Sequence, residues 1–198
     1  MHTSKEFINE VNNLKMTYAD NEPRSNAEAY HMAKNAADQY LKYITCFPIR
    51  MATVMHNLGF KVLTGTMKSN NMSGMIAINV NEKYNKFILV NKKNNYCNQY
   101  FTVAYEFAHY IFEASANEDE KYLSVYYDTS INNEKNLIEY RANKFAVELL
   151  MPEKPFKTIV NENSEYEEEE QLKCIAKAFS VSEKIVKRRI EELNIVIG

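Results

Sequence analysis

An α+β fold is predicted from three features of the sequence. Helical periodicity runs through residues 25–58, short β-branched segments occupy 60–91, and helical periodicity returns from Cys97. The chain has 198 residues, of which 45% are hydrophobic and 25% charged, enough for one well-cored domain with a small accessory.

The elements follow in order. Residues Met1 to Pro23 are polar and asparagine-rich, with room for one short helix before the break at Asn21-Glu22-Pro23. Ser25 with Glu28 forms a capping box that starts an amphipathic helix through Ala29, Ala33, Ala36, Ala37, Tyr40 and Leu41. A second helix, Ile49 to Leu58, ends at Gly59. Three strands are expected at FKVLTGT, MSGMIAINV and KFILVN, antiparallel to one another, with Gly59, Gly65 and Gly74 at their turns.

A long helix is expected at Cys97 to Ala114, then an acidic loop at Asn117 to Glu120 and a strand at Tyr122 to Tyr127. Another helix covers Asn136 to Leu150 and stops before Pro152. The run NENSEYEEEE, residues 161–170, reads as a charged connector or solvated helix start. Two short helices close the chain, Leu172 to Phe179 and one capped by Ser180-Val181-Ser182 that runs to Leu193. This reading divides the chain into a polar N-terminal segment at 1–24, a main domain at 25–160 and a helical module at 161–198.

Charge and composition exclude several classes. A net charge of −2 supplies no global positive field for nucleic acid or anionic lipid. Cys46, Cys97 and Cys174 are odd in number and far apart, which fits reduced thiols and a cytoplasmic protein. The N-terminus lacks the apolar run of a secretion signal, and no stretch approaches the length of a membrane span.

The helix FTVAYEFAHYIF, Phe101 to Phe112, carries most of a zinc-peptidase signature. In HExxH two histidines at i and i+4 point to one side of a helix, and the glutamate between them polarises a zinc-bound water. Here the five positions are Tyr105-Glu106-Phe107-Ala108-His109, so a tyrosine stands where the first imidazole belongs. Downstream, EYRANKFAVELLMP places Glu139 at the head of a helix with an apolar stripe at Ala142, Phe145, Ala146, Leu149 and Leu150. A chance Glu and His on a buried helix would explain the first motif alone.

Together these motifs resemble the ImmA/IrrE family of zincin-like metallopeptidases, typical of bacteria and their mobile elements. FPIRMATVMHNLGFKV matches the family's Pro-led helix and following strand, KFILVN its strand ending in Asn, and FTVAYEFAHYIF its FTLAHELGHYL. EYRANKFAVELLMP matches its ExxANxFAxxLLMP without a gap, and IAKAFSVSEKIVKRRIEEL its helical tail. The resemblance implies a zincin-like domain with a small antiparallel sheet packed on helices and a helix-turn-helix-like C-terminal module. It assigns Glu106 as general base and His109 and Glu139 as zinc ligands, with Tyr105 at the first ligand position.

A phenol of ordinary pKa near 10 must lose its proton before it serves zinc well, so two good protein ligands remain and zinc is a doubtful cofactor. The expectation is a catalytically degenerate, metallopeptidase-like regulator acting by protein binding, as an anti-repressor or counter-defence protein of a phage, mobile element or host. Its partner would be a repressor-type or host defence protein. The alternative is an active zinc peptidase cutting a phage-type repressor, with the site rescued by tyrosinate or by His31 or His56. His2 carries no information. A third class is a DNA-binding regulator using Lys184, Lys187, Arg188 and Arg189, disfavoured by the adjacent acidic run at Glu165 to Glu170.

Overall fold

The computed structural model describes residues 4–19, 21–69, 71–115, 117, 119–127 and 136–197. His2 and part of the expected acidic loop lie outside them. Helix α1 (Ser4–Tyr18) is followed by α2 (Asn26–Leu41), α3 (Met51–Asn57), β1 (Lys61–Gly65), β2 (Met72–Ile78) and β3 (Lys86–Asn91). Then come α4 (Tyr96–Phe112), β4 (Tyr122–Tyr127), α5 (Leu137–Leu150), α6 (Glu153–Glu162), α7 (Glu168–Phe179) and α8 (Glu183–Glu192). Sheet and helices are segregated, as an α+β fold requires.

The four strands lie in the order β1-β3-β2-β4. β2 is antiparallel to both β3 and β4, but β1 runs parallel to β3, correcting the expectation of an antiparallel set. The cause is topological: β2 and β3 form a hairpin, and β1 pairs on the far side of β3, so the first and third strands share a direction. Gly74 is inside β2 rather than at a turn. A Cβ there would lie 2.4 Å from Thr102 Cγ2 and 3.1 Å from the Leu89 carbonyl oxygen, so α4 approaches β2 closer than any side chain allows.

Helix α4 is the core's axis, buried at every residue from Tyr100 to Phe112. Asn95 caps it by accepting from the Asn98 amide. Edge-to-face rings tie α2, α4 and α5 together, with centroids 5.2 Å apart for Tyr40 and Phe107 and 5.6 Å for Phe107 and Phe145. The expected polar N-terminal segment also enters the core. Phe7, Val11 and Leu14 recur at helical spacing on α1 and are buried, with the Phe7 ring 5.0 Å from Tyr40.

Helix α6 went unanticipated because Pro155 reads as a breaker. It falls in the first turn, where the missing amide hydrogen has no intrahelical acceptor to lose. The last two helices share the main core through Leu172, Ile175, Phe179, Val186 and Ile190. Helix α8 is also clamped by charge. Buried Arg189 forms two 2.7 Å bonds to buried Glu148 on α5, and its Nε donates to the Met151 carbonyl at 3.1 Å. The Tyr30 hydroxyl of α2 donates to the same carboxylate at 3.2 Å. Each guanidinium nitrogen of Arg189 and each carboxylate oxygen of Glu148 therefore has a partner, which makes the pair's burial tolerable.

Candidate functional site

Two faces of α4 build the site. Tyr105 and His109, one turn apart, face α5, while Thr102 and Glu106 face β2 at Gly74. Asn136 caps α5 by accepting from the amides of Ile138 at 3.2 Å and Glu139 at 3.3 Å, which fixes Glu139 in the first turn, opposite Tyr105. The structure thus brings together all four residues singled out in the sequence.

The Tyr105 hydroxyl donates to Glu139 Oε2. Its ring stacks on Tyr126 of β4 with centroids 4.1 Å apart and lies 5.1 Å from the His109 ring. Burial, then the Glu139 carboxylate and the hydrogen bond to it, push the Tyr105 phenol well above the usual tyrosine range. The group is therefore a proton donor here, and tyrosinate is strongly disfavoured.

His109 is held from behind. Its Nδ1 is 2.7 Å from Glu113 Oε2, and Glu113 Oε1 accepts from Arg141 Nη2 at 2.6 Å. Arg141 is itself buried, donates to the Asn21 carbonyl at 2.9 Å and lies 4.5 Å from the centre of the Phe112 ring. Burial works against the imidazolium, but the hydrogen bond to Glu113 and that carboxylate's charge outweigh it, so the His109 pKa is raised. A carboxylate on Nδ1 directs the other nitrogen outward, as it does in ligating histidines. Buried Nε2 has no hydrogen-bond partner among the described residues and lies 3.9 Å from Glu139 Oε1.

Glu106 is fully buried, and neither carboxyl oxygen closes a hydrogen bond among the described residues. Burial raises its pKa to about 8; His109 opposes the rise, and the charges of Glu139 and Glu113 add to it. The Tyr126 backbone amide faces the carboxyl and offsets a little of this without reaching hydrogen-bond geometry.

Glu113, Arg141, Tyr126 and Gly74 are the parts of this site that sequence reasoning missed. Glu113 was findable, since it sits one turn beyond His109 on the same helix face. The other three are brought in from α5, β4 and β2 by the fold. His31 and His56, the candidate rescuers, are exposed on α2 and α3, and neither lines the cleft above Tyr105.

The model of the peptidase M78 family, the IrrE N-terminal-like domain, matches residues 55–191. The chain belongs to this family. The match runs from α3 into α8, so the helical tail is part of the family domain. No curated protein matches the chain.

M78 proteins are zinc metallopeptidases, and that metal sets the donors the site would have to supply. His109 fits, with its orphaned Nε2 and carboxylate-backed Nδ1. The set as a whole does not fit. The expected first ligand position holds a protonated phenol that engages Glu139, the expected third ligand, and among the described residues no three His, Cys, Asp or Glu side chains converge on one point. A tetrahedral catalytic zinc requires three protein donors and one open position.

Proposed function

We propose that this M78-family chain is a non-catalytic regulatory protein that acts by binding another protein, of the repressor or host-defence type, in a bacterium, phage or mobile element. The observation that carries this reading is the hydrogen bond from Tyr105 to Glu139. It converts two ligand positions into an internal clasp between α4 and α5. With only His109 left ready, a metal would be held too loosely to lower the pKa of a bound water. Among the described residues no helix is long and apolar enough to cross a membrane.

Binding rather than reading DNA is also supported by α8. Arg189, one of the four cations that made a nucleic-acid role conceivable, is spent on Glu148 inside the protein. The retained Glu106 and the orphaned His109 nitrogen favour the rival reading, an active zinc peptidase.

Metal analysis of protein purified without chelator and then dialysed against zinc separates the two. Well under one zinc per chain is expected. One tightly held zinc per chain, with cleavage of a bound partner that disappears on Glu106→Gln, would overturn the proposal.

A further inference from the structure

Above the Tyr105 and Glu139 pair is a cleft of about 440 Å³ between α4, β4, α5 and α8. Its two sides differ in chemistry. The side formed by α4, β4 and α5 is aromatic, with Tyr126, Tyr127 and Tyr140 facing the cleft and Tyr127 47% exposed. The other side is α8, which presents Lys184 and Arg188 one turn apart.

The cations on this wall divide into two classes. Lys144 is paired with Glu192, and Arg189 with Glu148. Lys184 and Arg188 have no ionic partner among the described residues, and Arg188 is half-buried. Glu191 also borders the cleft, so the uncompensated charge is local to the Lys184–Arg188 turn. A half-buried guanidinium facing a cleft without a carboxylate of its own is a site waiting for one. The wall is also preformed, because the buried Arg189–Glu148 pair fixes α8 against α5, so a ligand need not order it.

We infer that this cleft is a docking site for an extended peptide segment of a partner protein, with a carboxylate side chain taken by Lys184 and Arg188 and an aromatic or apolar neighbour laid on Tyr126, Tyr127 and Tyr140. The inference rests on the binding-protein reading and names the chemistry of its partner. Nucleic acid suits the cleft poorly. Two free cations on one turn make too short a track for a phosphate backbone.

Fluorescein-labelled random copolymers of glutamate and tyrosine, and of lysine and tyrosine, test it by anisotropy with the full chain at 150 mM salt. The acidic copolymer is expected to bind. Lys184→Glu with Arg188→Glu should weaken it at least tenfold, and the milder Lys184→Gln with Arg188→Gln by a smaller factor. Lys68→Glu, at an exposed residue that does not line the cleft, should leave binding unchanged. Absence of binding, equal binding of the basic copolymer, indifference to both double substitutions or full displacement by duplex DNA would overturn the inference. Mass spectrometry of the bound polymer keeps the two readings apart. Shortening that depends on Glu106 would refute the non-catalytic reading and still support the docking site, whereas failure to bind says nothing about zinc.

Discussion

The Tyr105 hydroxyl and Glu139 meet across the α4–α5 interface, at the two positions to which the motif resemblance assigns the first and third zinc ligands. A hydrogen bond from phenol to carboxylate thereby joins the helices that a metal would otherwise join. Tyr105→Phe removes the donor and leaves Glu139, whose side chain is 26% exposed, to solvent on one side. A loss of about 1 kcal/mol is expected in urea unfolding, near the ordinary worth of one hydrogen bond. Tyr105→His should instead yield a chain that binds zinc, read by calorimetric titration. No gain in zinc affinity would mean that more than one ligand has been lost.

Glu106 gives a pH signature. Its folded pKa is raised to about 8 from an unfolded value near 4.5, so the protonated form is favoured in the native state. That contribution is complete below about pH 4.5 and disappears as the pH rises through 8. Glu106→Gln keeps the neutral shape and removes the titration. The variant and the parent should therefore melt alike near pH 5, and the variant should melt several degrees higher at pH 9. Equal melting at both pH values would show that the carboxyl finds a partner on ionisation.

Arg189 and Glu148 are a buried pair, and breaking one side strands the other. Arg189→Ala should cost about 3–5 kcal/mol, whereas replacing both by Met should cost far less, since apolar packing tolerates the site better than one unpaired charge. Chemical denaturation of the parent and the two variants measures both costs. A small cost for the single change would mean that Tyr30 and Lys34, which also approach Glu148, suffice to hold it.

Gly74 lets α4 lie on β2. Gly74→Ala puts a methyl 2.4 Å from Thr102 Cγ2 and should cost about 1–3 kcal/mol by overpacking. Thr102→Ser deletes that methyl and keeps the hydroxyl that donates to the Asn98 carbonyl at 2.8 Å. The double variant should recover part of the loss, limited by the Leu89 carbonyl 3.1 Å away. No recovery would place the strain in the backbone contact rather than the side chain.

The succession of helices and strands, and the identity of Tyr105, Glu106, His109 and Glu139, were legible in the chain itself. Periodicity, capping and motif spacing are local, and local order survives in a one-dimensional record. The parallel pairing of β1 with β3 was not legible, nor was α6 behind its proline or the entry of α1 into the core. The same holds for the backing of His109 by Glu113 and Arg141, and for the wall that α8 makes above Tyr105. Each depends on which surfaces meet once apolar area is buried, and residues 28, 34 or 41 positions apart leave no mark of their meeting in spacing alone. The sequence by itself determined that a phenol replaces an imidazole. Only the tertiary structure decided that this phenol stays protonated and takes the carboxylate a metal would need, because burial and the Glu139 charge exist only in the folded state.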